Sequence, residues 1–237
     1  MLKPLILLLG AVAAPLAAHA QDDAYMGQFN HAGRVISDIA GNAAVGQSIK
    51  NRTGRSQDDD ARPGEADLTF RRYPKVTQLA REEIAAQTRK KSPEAARQFL
   101  HDTQHYDIAA TLRRAGLSPN NLADAAAYHV GVYWAAVHQR AERPGPGQMQ
   151  GLRRQMVEVM RRRKPAALTE GVRQSIADEL MLRAYSTEQM LRLLARQPDA
   201  QQAALVSRAA RQQVQRTMGL DLADYDLTSA GLVPRAR

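Results

Sequence analysis

The 237-residue chain carries 33 Lys and Arg against 24 Asp and Glu, a formal net charge of +9, and no cysteine. Without cysteine there are no disulfide staples, thiol nucleophiles, cysteine-ligated metals or lipid-modified N-terminal cysteine, so stability must come from a buried core. The positive balance suits anionic partners, but the basic residues are scattered and the aromatics, 5% of the chain, sit mostly with apolar neighbours, which argues against a nucleic-acid surface.

The chain opens with Lys3 and an apolar run from Leu5 to Ala18, then Ala18-His19-Ala20 and polar Gln21-Asp22-Asp23. A basic start, an apolar stretch too short to span a bilayer and a small-x-small end predict a cleavable signal peptide over residues 1–20. The expected mature chain begins at Gln21 and resides in the periplasm or outside the cell. No later run is apolar enough for an integral membrane protein. Residues 21–67 are rich in Gly, Asn, Ser and Gln, with weak periodicity apart from a short helix around 32–39, and read as a flexible N-terminal tether. Within it, Asn51-Arg52-Thr53 matches a glycosylation acceptor, a pattern common by chance. An extended piece, Leu68 to Tyr73, leads into a helical domain over residues 68–233, with 234–237 as a tail.

Val76, Leu79, Ala80 and Ile84, at three- and four-residue spacing, predict a first helix over 74–89. Ser92-Pro93-Glu94 supplies a cap, a proline suited to the first helical position and a first-turn acid, and starts a second helix with Ala96, Phe99 and Leu100 inward. A third helix is expected from Asp107 to Ala115. It stops at Gly116, placed for a left-handed conformation with Leu117 returning to Leu112.

Asn120 or Asn121 caps a fourth helix that lacks a broad polar face and so belongs inside the domain. Asp124 stands where a carboxylate reaches back to the cap or meets the helix dipole. Ala123, Ala127, Gly131 and Ala135 form a strip without bulk that lets another helix approach, while Leu122, Val130, Tyr133, Trp134 and Val137 supply volume. After the break Glu142-Arg-Pro-Gly-Pro-Gly147, a fifth helix over 148–163 presents Met149, Leu152, Met156 and Met160 against an arginine-rich outer face and ends at Pro165. A sixth runs over 169–196 through Val172, Ile176, Leu180, Leu191 and Leu194, with Ser186 to Gln189 resembling a capping box able to split it. A seventh starts at Asp199 and stops at Gly219, and the closing segment lays Leu222, Leu227 and Leu232 on the bundle. With no β-alternation and no repeat, the class is all-α: a single bundle of six to seven helices around a central buried helix.

Gly116-Leu117, Asn120 to Ala125, Tyr128 and Trp134, then Gly219 to Leu222, Leu227-Thr228 and Gly231, carry a resemblance to a family of exported bacterial proteins known only as a domain of unknown function. The similarity covers about residues 68–233. It implies an exported helical module and assigns no catalytic residue.

His101-Asp102-Thr103-Gln104-His105 sets two histidines four apart with an acid after the first, the layout of a zinc-protease helix with Asp in place of Glu; Asp107 or His129 would be the third ligand. Solvated or capping histidines are the plainer reading, because Asp is a carbon shorter than the usual Glu base. Asp124, Tyr128 and His129 either line a pocket or are a capping acid beside core aromatics. Asp178 and Glu179 are adjacent on a helix and point apart, so they make no two-carboxylate site. There is no phosphate loop, nucleophile elbow or calcium loop, and no cofactor is expected. The residues favour a non-enzymatic exported binding or structural module engaging another envelope protein, with Asn120, Asn121, Asp124, Tyr128, His129 and Trp134 as its motif or binding residues. Two alternatives stand: a cell-envelope hydrolase, metal-assisted through His101, Asp102 and His105, and a binder of anionic envelope polymer through the arginine faces.

Overall fold

The computed structural model describes residues 68–161 and 168–236. The predicted signal peptide, the predicted tether with its expected short helix and Asn51 acceptor, the predicted Pro165 stop and the last residue of the expected tail lie outside the described residues. Seven helices follow: α1 (Pro74–Arg89), α2 (Pro93–Thr103), α3 (Ile108–Arg114), α4 (Leu122–Val137), α5 (Pro146–Arg161), α6 (Glu170–Arg196) and α7 (Ala200–Met218). A 3-10 turn (Leu222–Asp224) then leads into strands β1 (Tyr225–Thr228) and β2 (Gly231–Pro234). The class is all-α, as the periodicity predicts.

Local signals set the helix ends. Ser92 Oγ accepts from the Ala95 N–H, Asp107 from Ala110, Asn121 from Ala123 and Asp124, and Asp199 from Gln202, each satisfying a donor that the first helical turn leaves orphaned. At Gly116 (φ 72) the Leu117 N–H reaches Leu112 O at 2.9 Å and the Gly116 N–H reaches Arg113 O at 3.0 Å, the predicted left-handed stop. The capping box predicted at Ser186 is not used. Ser186 and Thr187 instead donate to the carbonyls of Leu182 and Arg183, four residues back, and α6 runs unbroken for 27 residues.

Every residue of α4 from Leu122 to Ala136 is buried, and the helix packs against α5, α6 and α7. Burial of each large apolar side chain contributes roughly 1.5–3 kcal/mol, which is why a helix with so little polar surface sits at the centre. A Cβ added at Gly131 would stand 2.9 Å from Met149 Sδ, so at that point of the small-residue strip the close neighbour is α5.

Four expectations need correction. Leu79 is 51% and Val172 42% exposed; α1 turns Thr77, Ala80, Ile84 and Thr88 toward the bundle, a face rotated from the predicted one because Thr77 Oγ1 donates to buried Asp178. Helix α5 has a much narrower outer face than predicted: Gln155, Val157 and Val159 are buried beside the four predicted residues. The closing segment, for which the sequence predicts an ordered tail without strands, is a β-hairpin with Tyr225 opposite Pro234 and Thr228 opposite Gly231. Its Leu227 and Leu232 are buried, as expected of the segment.

Two buried glutamines fasten the segments that lead into and out of the helices. Gln174 accepts from the Tyr73 N–H at 2.8 Å and donates to Tyr73 O at 2.9 Å. Gln155 does the same for Leu232, accepting from its N–H at 2.8 Å and donating to its carbonyl at 2.9 Å. A carboxamide presents a donor and an acceptor side by side, as a neighbouring strand would. The lead-in Leu68–Tyr73 is thus stitched to α6, and β2 to α5.

Candidate functional site

Between α4, the C-terminal half of α6 and the loop 141–145 lies a cleft of ≈ 470 Å³. The Pro/Gly break forms its outer wall and presents Arg143; α4 contributes Tyr128, and α6 contributes Glu188 and Arg192, one helical turn apart. Tyr128 Oη donates to Glu188 Oε2 at 2.8 Å and accepts from Arg143 Nη1 at 3.2 Å. Glu188 Oε1 meets Arg143 Nε at 3.1 Å and Arg192 Nη2 at 2.9 Å. Burial and the adjoining Glu188 carboxylate raise the Tyr128 hydroxyl well above its ordinary value, so it stays protonated and donates. The Glu188 side chain is 6% exposed while those of Arg143 and Arg192 are 39% and 50% exposed. One buried acid therefore orients two half-solvated arginines; at the cleft wall Arg114 adds a third arginine and exposed Glu142 a second acid. Val132, Ala135, Met149 and Leu191 line the apolar remainder.

Of the candidate binding and metal residues named from sequence, only Tyr128 lines this cleft. Asn120 is exposed and its carbonyl accepts the Phe70 N–H at 3.0 Å. Asn121 is the buried cap of α4. Asp124, fully buried, does not reach back to that cap; its Oδ1 receives Arg153 Nε at 3.0 Å. Trp134 Nε1 donates to Tyr225 O at 2.9 Å, tying α4 to the start of the hairpin. His129 stacks on Tyr133 at 4.2 Å and its Nδ1 donates to Leu180 O at 3.0 Å.

The proposed zinc helix does not form: α2 ends at Thr103, so His105 lies beyond the helical face of His101. The His101 side chain is 81% exposed and meets only Asp102, at 3.2 Å. Asp107 caps α3 and His129 is enclosed elsewhere. Among the described residues no three His, Asp or Glu gather where an ion would be held. Asp178 and Glu179 point apart, Asp178 to Arg72 and Glu179 to Arg183.

His129 and Asp124 titrate in opposite senses. Burial, helped by Arg183 and opposed by the Leu180 hydrogen bond, lowers His129 to about 4. Its folded-state pKa lies below the unfolded value, so its contribution is present above pH 6.5 and lost as pH falls toward 4. Burial raises Asp124 to about 6, with the Ser118 backbone working the other way; Arg153 also favours the charged form. Here the folded value exceeds the unfolded one, so the contribution is full at low pH and lost as pH rises through 6. In urea titrations at pH 7 and pH 4, His129→Asn is expected to gain about 3 kcal/mol relative to the parent on acidification. Parallel pH profiles for parent and variant would refute the neutral buried histidine.

Arg143, Glu188 and Arg192, together with the clamps Gln155 and Gln174, escaped the sequence reading. The local signals were a Pro/Gly loop bearing a charge, a type of segment that often carries function, and a Glu–Arg pair at i and i+4.

The fold and cleft define a helical bundle that holds an arginine-rich pocket against its central helix. The chain belongs to the family of unknown function DUF6683, whose model matches residues 6–235. No curated protein and no solved structure is significantly similar to it.

Proposed function

We propose that the chain is an exported, non-enzymatic binding module that recognises an anionic component of the cell envelope at the Tyr128–Arg143–Glu188–Arg192 cleft. The observation that carries this reading is the pair of half-exposed arginines, Arg143 and Arg192, held on one buried acid in a cleft lined by Arg114, Arg143 and Arg192 against Glu142 and Glu188. Arginine presents its donors in a planar fork suited to carboxylate and phosphate. The non-enzymatic part rests on where the titratable groups are spent: His129 on a backbone carbonyl, Asp124 and Asp178 on Arg153 and Arg72. Another envelope protein is one source of that anionic group. No helix among the described residues is long and apolar enough to cross a membrane.

Ligand binding to the folded state raises the melting temperature by mass action. An envelope extract is expected to raise that of the parent but not of Arg143→Gln/Arg192→Gln, with no extract component chemically altered. Equal shifts in both proteins, or turnover of a component, would overturn the reading. Export rests on the pattern of residues 1–20. N-terminal sequencing of protein from the periplasmic or culture fraction is expected to start at Gln21; an intact Met1 in the cytoplasm would contradict it.

A further inference from the structure

We infer that the cleft and the groove beside it together bind a single-chain anionic amphiphile, its carboxylate or phosphate head at Arg143 and Arg192 and its hydrocarbon chain along Leu191 and Leu194. The inference rests on the anionic-recognition reading above and names the class of ligand.

The groove, of ≈ 290 Å³, shares Ala141 and Leu191 with the cleft and continues between the C-terminal end of α6 and the start of α7. Its walls are chiefly apolar, Leu194, Pro198 and Ala203 among them, with Arg140 and Asp199 as the charged members. A basic, hydroxyl-bearing pocket is thus continued by a hydrocarbon-lined channel, the complement of a molecule charged at one end and apolar along its length. A peptide or polysaccharide would leave backbone amides or hydroxyls against those apolar walls without partners.

The head site is held ready. Glu188 takes Arg143 through Nε and Arg192 through Nη2, leaving further N–H donors on both forks. Glu188 and Tyr128 are themselves locked to each other, so little ordering is left for the ligand to impose.

The wall of the groove also stores strain. Gln139, one of its lining residues, sits at φ 51, in the left-handed region that a non-glycine residue seldom occupies. It closes α4 with the Arg140 N–H on Ala135 O at 2.8 Å, a stop that usually employs glycine. A side chain held in that conformation fits a residue that shapes a binding surface.

The test is titration calorimetry of the purified protein with decanoate, decyl phosphate and decanol, each below its micelle concentration, and with acetate and inorganic phosphate. Decanoate and decyl phosphate are expected to bind at least tenfold more tightly than decanol, acetate or phosphate. Across a carboxylate series the affinity should climb roughly threefold to fourfold per methylene until the groove is filled. Arg192→Ala, at a half-exposed position, should weaken the chain anions about tenfold and leave decanol unchanged. Leu194→Gln should weaken the chain anions and leave acetate unchanged.

Decanol binding as tightly as decanoate would overturn the head assignment, and acetate binding as tightly as decanoate the tail assignment. Absence of binding by a protein that melts cooperatively would overturn both, as would sedimentation with phosphatidylglycerol vesicles without binding of monomeric decyl phosphate. If the envelope extract still shifts the parent but not the double arginine variant, the recognition reading survives and the amphiphile does not. If the extract shifts neither protein, both fall.

Discussion

Asp178→Ala is expected to destabilise the domain by about 3–4 kcal/mol, read as the change in urea unfolding free energy. The carboxylate is completely buried and receives Arg72 Nη1 at 2.5 Å, Thr77 Oγ1 at 2.6 Å and Gln174 Nε2 at 3.0 Å. Arg72 also donates through Nε to Pro119 O at 2.8 Å, and Gln174 holds both backbone groups of Tyr73. Removing the acid therefore strands a mostly buried guanidinium and loosens the amide that pins the lead-in to α6. Arg72→Met is expected to cost as much or more, because it leaves the acid buried without its cation. In both variants the amides of Phe70 and Tyr73 should lose hydrogen-exchange protection before the rest of the bundle. A loss below about 1 kcal/mol for Asp178→Ala would mean that the lead-in is held by its apolar residues alone.

Gly151→Val is expected to lower stability by about 3 kcal/mol or more and to undock the hairpin. A Cβ at Gly151 would stand 2.4 Å from Gly231 N and 2.6 Å from Ser229 O, backbone atoms that cannot rotate aside. Gly231 is equally constrained, at φ 97 with Gln155 Oε1 2.3 Å from where its Cβ would be. Helix and turn thus meet glycine to glycine, which accounts for a mid-helix glycine that by itself costs roughly 1 kcal/mol against alanine. The single tryptophan reports the outcome, since Trp134 Nε1 is bonded to Tyr225 O at the start of the hairpin. Red-shifted emission from a still-helical variant is the expected signature; emission identical to the parent would refute the docking. Gly171→Ala serves as control, because nothing lies within 4 Å of a Cβ there and it should be neutral or stabilising by about 0.5 kcal/mol.

The helices were legible because their determinants are local. Ser92, Asp107, Asn121, Asp199, Gly116 and Gly219 do at close range what their types favour, and the apolar spacing of α2, α4 and α7 matches their buried faces. The face of α1 was misread because a polar residue, Thr77, points inward to a partner 101 positions away. Tyr225-Asp226-Leu227-Thr228 does alternate in burial, but four residues joined by Ser229-Ala230 rather than Asn-Gly give too weak a strand signal. Buried Gln155 and Gln174 look in sequence like solvated residues, because what they bind is backbone distant along the chain. The cleft was hidden for the same reason: Tyr128 and Glu188 are 60 residues apart, and only Glu188–Arg192 is a local pair.

The most direct measurement is a backbone-amide NMR titration of the isotopically labelled protein with decyl phosphate. Saturable shift changes are expected at Tyr128, across Gln139–Arg143 and over Glu188–Leu194, with the lead-in and hairpin unmoved. Non-saturating changes spread over exposed arginines such as Arg154, Arg208 and Arg216, with the cleft silent, would contradict a built site for an anionic amphiphile.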